Sequence, residues 1–246
     1  MLVKSQVKYI QSLGQKKFRD QEGVFIVEGP KMVKELLSAP NTRPLLIYGV
    51  KEWLDSSREW LSAAAAACST EIKEAELERI SSLATPNQVL AVLERPSFPA
   101  PVLNDSVSLL LDGIQDPGNL GTIIRIADWF GLRQIVCSMD CADAFNTKTI
   151  QATMGSITRV QVIYEDPAAL IRQCPGLPVF AAVLEGENLY TMEPIPKGLV
   201  MIGNESRGIR PELLEKATHR ITIPRKGQAE SLNAAVATGI ILSHLI

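Results

Sequence analysis

Three short polar segments, each of which follows an apolar run, carry the residues best suited to chemistry in this chain. The first holds Asn119 and Arg125, the second holds Glu205, and the third holds Ser231 and Asn233. An amide can orient a hydroxyl group, and a guanidinium can bind a phosphate through two hydrogen bonds. None of these side chains is a histidine or a thiol. The pattern therefore favours a group transfer that depends on positioning the reactants rather than on a covalent intermediate.

The glycines of the first segment do not form a phosphate loop or a dinucleotide-binding loop. Gly118 is followed by Asn119, where a Walker motif needs lysine and then serine or threonine. The spacing of Gly113, Gly118 and Gly121 does not match Gly-x-Gly-x-x-Gly either. This excludes the usual signatures of nucleoside triphosphatases and of nicotinamide-dependent dehydrogenases.

Each candidate residue also has an ordinary structural explanation. Asn119 would cap the helix that follows its turn, and Arg125 would form a surface ion pair. Ser231 would be the N-cap of the last helix. Any one segment alone is explained at least as well by these structural roles. The three segments taken together favour the chemical interpretation.

Histidine and cysteine usage argues against a metal site and against a Ser-His-Asp or Cys-His catalytic centre. The chain has two histidines, His219 and His244, and no nucleophile elbow. Cys137 and Cys141 form one close pair, but a structural zinc site needs a second. We predict no metal, and we predict that the four cysteines are reduced, buried thiols.

The elements that must position these residues alternate between strand and helix in the C-terminal part. Continuously apolar strands such as Leu109–Leu111 indicate a mostly parallel sheet covered on both faces. The predicted strands are 107–111, 134–137, 159–163, 179–183, 199–202 and 220–223. The predicted helices are 122–130, 147–154, 167–173, 211–216 and 231–245. The last helix is apolar nearly all round, which places it in the interior or in a subunit interface.

The N-terminal part has the pattern of a small α/β domain. Three prolines between residues 96 and 101 predict a linker. We therefore expect a first domain over 1–95, a linker over 96–104 and a second domain over 105–246. In the first domain, helices are predicted at 7–13, 31–39, 53–67 and 74–82, and strands at 23–28, 44–48 and 88–93.

Charge is distributed unevenly along the chain. The formal net charge is −2, yet residues 1–19 carry five basic side chains and no acidic one. This is the pattern of a local surface for a polyanion, and also of a solvated helix face. The five are Lys4, Lys8, Lys16, Lys17 and Arg19.

With no basic-then-apolar leader and no apolar run of membrane-spanning length, we expect a cytoplasmic protein that does not enter a membrane.

The three segments closely resemble the motifs of the SpoU (TrmH-like) class of RNA ribose 2'-O-methyltransferases. The first motif of that family has Asn, Gly and Arg in the order of Asn119, Gly121 and Arg125. The second is centred on Gly-x-Glu-Gly-x-Gly, which residues 203–208 match except at Ser206. The third has Ser-Leu-Asn before small apolar residues, as at 231–237. The N-terminal part resembles the small RNA-binding domain of these enzymes, although Ser5 replaces a common asparagine.

The resemblance implies an α/β fold with a deep trefoil knot, a rare exception to unthreaded chain topology. It implies S-adenosylmethionine as cofactor, contacted by Gly203, Ile223 and Leu232. The implied catalytic residues are Asn119, Arg125, Glu205, Ser231 and Asn233. The implied RNA-binding residues are Lys8, Lys16, Lys17 and Arg19.

The implied reaction is methylation of a ribose 2'-hydroxyl, in ribosomal RNA in preference to transfer RNA. Arg125 is either the base or the group that binds phosphate and lowers the pKa of the hydroxyl, and both roles stay open. A homodimer is implied, in which Arg207 or Arg225 completes the partner's site. The alternatives are a non-catalytic RNA-binding protein on the same fold and a knotted methyltransferase that modifies a base.

Overall fold

The computed structural model describes residues 2–246 and has an α/β architecture. Its helices over this range are α1 (Lys4–Ser12), α2 (Lys16–Glu22), α3 (Pro30–Leu37), α4 (Lys51–Ser57), α5 (Ala63–Ala67), α6 (Glu74–Ile80), α7 (Pro117–Trp129), α8 (Thr147–Thr153), α9 (Pro167–Gln173), α10 (Pro211–Leu214) and α11 (Ala234–Leu245). Its strands are β1 (Val24–Glu28), β2 (Pro44–Gly49), β3 (Ser69–Glu71), β4 (Val89–Glu94), β5 (Val107–Asp112), β6 (Gln134–Cys137), β7 (Gln161–Tyr164), β8 (Val179–Asn188), β9 (Gly198–Gly203) and β10 (His219–Thr222). The chain forms two compact units.

A six-stranded sheet forms the centre of the second unit, which comprises Phe98–Ala144 and Arg159–Ile246. Its strand order is β10-β8-β9-β5-β6-β7, and every neighbouring pair is parallel. All six residues of β5 are buried, as expected for a strand covered on both faces. The predicted parallel α/β sheet is confirmed.

The first unit comprises the chain up to Ser97 together with Phe145–Thr158. Its four-stranded sheet has the order β1-β4-β2-β3, in which β4 is antiparallel to both of its neighbours. The short strand β3 lies parallel to β2 at the edge. Strand β3 was not predicted, because its three residues are polar and show no apolar alternation.

Segment Phe145–Thr158 belongs to the first unit although it lies far along the chain. The ring of Phe145 lies 5.3 Å from that of Phe25, and Gln151 Nε2 donates to the Glu28 carbonyl at 2.8 Å. The guanidinium of Arg95 lies 4.5 Å above the Phe145 ring. The predicted second domain, 105–246, is thus interrupted by residues that pack within the first unit.

Local capping explains two of the differences between the predicted helices and the structure. The single helix expected over 53–67 is two helices, since α4 ends at Ser57 and Ser62 caps α5 by accepting from Ala65 N at 3.1 Å. Ser231 is not the N-cap of the last helix, which begins at Ala234 with Asn233 as its cap. The predicted N-cap at Ser231 is therefore wrong by two residues.

Helix α11 is buried along one face and exposed along another. Thr238 and Leu242 are fully buried, whereas Val236 is 51% exposed. The predicted interior position is confirmed for the buried face of α11. Its exposed apolar face is available to a partner, as the predicted subunit interface requires.

All four cysteines are free thiols. Cys137, Cys141 and Cys174 are buried as predicted, but Cys68 is only partly buried. Across residues 2–246, no three histidine, cysteine, aspartate or glutamate side chains are grouped so that they could hold a metal ion. Over the same residues, no helix has the length and apolar character that a membrane crossing requires.

Candidate active site

The candidate site lies where three loops leave the carboxyl ends of the second unit's strands. Loop 1 (113–116) follows β5, loop 2 (204–210) follows β9, and loop 3 (223–233) follows β10. Strands β5 and β9 are neighbours, and their last residues, Asp112 and Gly203, pair with each other. Loops 1 and 2 therefore start side by side, at the edge where open parallel sheets bind their ligands.

Three predicted residues form a continuous hydrogen-bonded chain, which we call the amide–carboxylate chain. Asn119 Nδ2 donates to Glu205 Oε1 at 2.6 Å. Asn233 Nδ2 donates to Asn119 Oδ1 at 2.9 Å. The amide of Asn119 thus has both of its polar atoms engaged, so its orientation is fixed. Each residue comes from a different polar segment of the sequence.

Helix capping holds both asparagines in place. The Asp116 carboxylate is the N-cap of α7 and accepts from Asn119 N at 2.8 Å, while Pro117 begins the helix. Asn233 Oδ1 accepts from Ala235 N at 3.0 Å and from Val236 N at 3.3 Å, which leaves its Nδ2 for Asn119. Asn233 therefore has a capping role and a site role, and Asn119 is not itself the cap.

Loop 2 is a narrow turn that depends on two glycines. Asn204 and Gly208 exchange backbone hydrogen bonds of 3.1 and 2.9 Å. A Cβ atom on Gly203 would lie 2.3 Å from the Gly208 carbonyl carbon, so no larger residue fits there. Gly208 has φ +68°, a conformation that favours glycine. Ser206 has no such requirement.

Loop 2 is attached to the end of β5 by residues that the sequence analysis did not single out. Asn204 Nδ2 donates to the Gly113 carbonyl at 2.7 Å. Arg210 donates to the Asp112 carboxylate from Nε at 2.7 Å and from its backbone N at 2.8 Å. The sequence contains one signal for this attachment, Asp112, because an acidic residue that ends an apolar buried strand requires a partner.

Hydrogen bonds around this attachment shift two pKa values. The hydrogen bond to Asp112 raises the pKa of Arg210, so its guanidinium stays charged. The Ser138 hydroxyl donates to Asp140 Oδ1 at 2.6 Å and lowers the pKa of that carboxyl. Ser138 Oγ also accepts from Gly113 N at 2.9 Å. The turn after β5 is therefore hydrogen-bonded on both sides.

Two predicted catalytic residues lie outside the amide–carboxylate chain. Arg125 is exposed, six residues after Asn119 on α7, and makes no hydrogen bond or ion pair through its side chain within residues 2–246. Ser231 is exposed in loop 3. Of the predicted cofactor residues, Gly203 begins loop 2, Ile223 begins loop 3, and Leu232 lies next to Asn233 with 46% of its surface exposed.

The predicted RNA-binding residues of the first unit divide into two groups. Lys8, Lys16 and Lys17 are exposed on α1 and α2. Arg19 is only 3% exposed, and its Nη1 donates to the carbonyls of Leu13 and Gly14 at 2.7 and 2.9 Å. The guanidinium of Arg19 stabilises the end of α1, so Arg19 is not part of an exposed basic surface.

Models of known protein families match both parts of the chain. Residues 106–243 match the SpoU rRNA Methylase family, and residues 4–91 match the MRM3-like substrate binding domain. The first match covers more than half of the chain. The chain belongs to the SpoU rRNA methylase family. The predicted family is confirmed, and SpoU motif residues from three parts of the sequence make up the amide–carboxylate chain.

Individual members of the family are similar over almost the whole length. The chain is 34% identical over 244 residues to 23S rRNA (guanosine(2553)-2'-O)-methyltransferase RlmP of Bacillus subtilis (strain 168), covering 97% of this chain and 95% of the relative. An AdoMet-bound rRNA methyltransferase from Sinorhizobium meliloti has a TM-score of 0.87 at 30% identity, covering 100% and 95%. A TrmH-family structure from Porphyromonas gingivalis has a TM-score of 0.87 at 38% identity, covering 100% and 98%.

Proposed function

We propose that this protein transfers the methyl group of S-adenosylmethionine to a ribose 2'-hydroxyl of ribosomal RNA. The observation that carries the proposal is the amide–carboxylate chain, in which the Asn119 amide is fixed by Glu205 and Asn233. Such a chain presents oriented polar groups at the carboxyl edge of the sheet, as the positioning of a hydroxyl requires. The B. subtilis relative is named as an enzyme of this reaction class.

The residues assigned to the cofactor suit a ligand with apolar and polar parts. Gly203 leaves no side chain in the turn of loop 2, and Ile223 and Leu232 present apolar surface in loop 3. The backbone N–H of Leu232 has no acceptor within residues 2–246. When bound, S-adenosylmethionine supplies a methyl group on a positively charged sulfur. The S. meliloti neighbour is described as AdoMet-bound.

We assign Arg125 the role of an anchor for the substrate phosphate. It is exposed and has no acidic partner in the described chain, so its charge is available to a ligand. Arginine stays protonated in proteins, which argues against its use as the base. Bound to the phosphate, its positive charge would lower the pKa of the neighbouring 2'-hydroxyl and stabilise the developing alkoxide. The hydroxyl proton would pass to solvent as the oxygen takes the methyl group that S-adenosylmethionine would supply.

Ribosomal RNA is the proposed substrate because both the matched family and the B. subtilis relative are named for it. Residues 4–91 match a substrate binding domain, and α1 and α2 expose Lys8, Lys16 and Lys17 there. Lysines on a mildly acidic protein attract the RNA backbone locally. Transfer RNA is the alternative substrate.

We also propose a homodimer formed through α7 and α11. These two helices pack together and leave apolar side chains uncovered: Trp129 is 85% exposed and Val236 is 51% exposed. Exposed apolar surface of this kind is typical of an interface. Light scattering of the intact protein tests this proposal, and Trp129→Asp should shift a dimer to monomer. A wild-type monomer at micromolar concentration would contradict it.

Three further expectations accompany the proposal. The trefoil knot and a cytoplasmic location stay predictions that follow from the family resemblance and the composition. An arginine acting across the dimer also stays a prediction. Arg207 suits that role better than Arg225, whose Nη1 donates to the Ala229 carbonyl of its own loop at 3.2 Å.

The proposed function is tested by mapping 2'-O-methyl groups in ribosomal and transfer RNA from a strain that lacks this protein. The strain is complemented with the wild type, with Asn119→Ala or with Arg172→Ala, an exposed arginine on α9 that serves as control. We expect one ribosomal position to be restored by the wild type and the control but not by Asn119→Ala. Restoration only in transfer RNA would reject the substrate, and restoration nowhere would reject the function.

A further inference from the structure

Loop 2 is tied at both of its ends to two consecutive residues of the second unit. At its start, Asn204 Nδ2 donates to the carbonyl of Gly113 at 2.7 Å. At its end, Arg210 contacts the carboxylate of Asp112 through Nε at 2.7 Å, Nη2 at 2.5 Å and its backbone N at 2.8 Å. Between these two ties lies Glu205, whose carboxylate accepts the hydrogen bond from Asn119.

The ion pair is not needed merely to keep loop 2 on the protein. Ile209, the residue before Arg210, is already buried in the hydrophobic core of the second unit. The Asp112 side chain is 2% exposed and that of Arg210 is 43% exposed. Such an ion pair is a weak source of stability, because the carboxylate has lost its water while the guanidinium is still partly solvated. Three donors on one carboxylate fix the orientation of Arg210 relative to Asp112, because a planar guanidinium restricts the angle to its partner as well as the distance.

The direction of loop 2 determines where the Glu205 carboxylate lies. Its bond to Asn119 is 2.6 Å long and joins the second segment of the site to the first. A shift of loop 2 by about 1 Å would break this bond, and misplacements of that size lower catalytic rates strongly. Asp140 adds a second negative charge, 3.7 Å from Arg210 Nη2, that favours the same placement of the guanidinium.

We propose that Arg210 is a positioning residue for methyl transfer: held on the buried Asp112 carboxylate, it fixes loop 2 so that Glu205 engages Asn119. The inference rests on the proposed function, because it assigns Arg210 a part in the same site. Arg210 does not touch the amide–carboxylate chain itself and acts only through the placement of Glu205.

The test compares the full-length variants Arg210→Lys, Glu205→Ala and the double variant, with Arg172→Lys as control. Lysine keeps the charge and the backbone bond to Asp112 but lacks the planar fork. We expect Arg210→Lys to lower kcat for rRNA methylation about tenfold or more, with the Kd of S-adenosylmethionine changed less than about threefold. The double variant should be no slower than Glu205→Ala alone, since both changes act through one contact. An unchanged kcat in Arg210→Lys, or multiplicative losses in the double variant, would overturn the proposal.

A second measurement decides the inference if the wild type transfers no methyl group to any RNA, an outcome that would reject the proposed function. Hydrogen exchange of the backbone amides of loop 2 reports its placement directly. We expect faster exchange at Asn204 and Gly208 in Arg210→Lys, with β5 and β9 unchanged and no change in Arg172→Lys. Equal exchange in Arg210→Lys and wild type would overturn the positioning role.

Discussion

The second unit gathers its predicted functional residues from distant parts of the sequence, whereas the first unit separates residues that are neighbours in sequence. Asn119, Glu205 and Asn233 are joined by hydrogen bonds across 86 and 114 residues. Lys17 and Arg19 are two residues apart on α2, yet Lys17 is exposed and Arg19 is 3% exposed. Residues far apart in sequence therefore form one site in the second unit, whereas two near neighbours in the first unit have different environments.

The difference follows from the geometry of the two kinds of element. The carboxyl ends of parallel strands meet at one edge of a sheet, so residues just after β5, β9 and β10 converge whatever their separation along the chain. Successive residues on a helix point in different directions, so a basic run on α2 does not make a basic face. Motifs at strand ends are therefore safer guides to a site than runs of charge on a helix.

The largest expected effect comes from Arg125, the exposed cation on α7. Arg125→Ala should lower methyl transfer by about a thousandfold, because the charge that stabilises the developing alkoxide is lost. The Kd of S-adenosylmethionine, measured by calorimetry, should change less than about twofold, because no cofactor contact is assigned to this side chain. Turnover within tenfold of wild type would remove Arg125 from the site, and Arg172→Ala serves as the control.

Asn233 allows the capping role to be separated from the site role. Asn233→Ala should destabilise the protein by about 1 kcal/mol and lower kcat, because the cap of α11 and the bond to Asn119 are both lost. Asn233→Ser keeps a capping oxygen, so we expect near wild-type thermal stability with the same loss of kcat. Equal activity of Asn233→Ser and wild type would show that only the cap matters.

In the first unit, we expect a change at Arg19 to affect stability and a change at Lys17 to affect RNA binding. Arg19→Met should lower the free energy of unfolding by about 1–3 kcal/mol, because the carbonyls of Leu13 and Gly14 lose their donor. Lys17→Ala should leave stability unchanged and raise the KM for RNA a few-fold, more at low salt than at high salt. Chemical denaturation and salt-dependent kinetics measure the two effects. A stability loss in Lys17→Ala without an RNA effect would reverse the assignment.

Ser206 is expected to give the smallest effect. It is exposed, and its backbone N–H donates to Asn204 Oδ1 at 2.9 Å, a bond that glycine also makes. Ser206→Gly should therefore change kcat less than about twofold, even though it restores the common family residue. A large gain in kcat would show that the serine side chain restricts loop 2.

Most of the fold and the candidate residues of the site could be predicted from the sequence, whereas the hydrogen bonds among those residues could not. Apolar runs such as Leu109–Leu111 predicted the parallel sheet. The polar segments of Asn119, Glu205 and Asn233 were placed after strands, and the family resemblance implied that the three residues share one pocket. The Asp112–Arg210 attachment was not predicted, because it joins a strand end to the start of a helix 98 residues away. The packing of Phe145–Thr158 in the first unit was also missed, since a short amphipathic helix does not specify which sheet it covers.

The most direct test of the central claim is transfer of labelled methyl from S-adenosylmethionine to ribosomal RNA of a strain lacking this protein, followed by nucleoside analysis. We expect label in a single 2'-O-methyl nucleoside with the wild type and none with Asn119→Ala. Label on a base would contradict the proposed chemistry while leaving the fold and family unchanged. Absence of label despite calorimetric binding of S-adenosylmethionine would contradict ribosomal RNA as the substrate, and absence of binding as well would favour a non-catalytic RNA-binding protein.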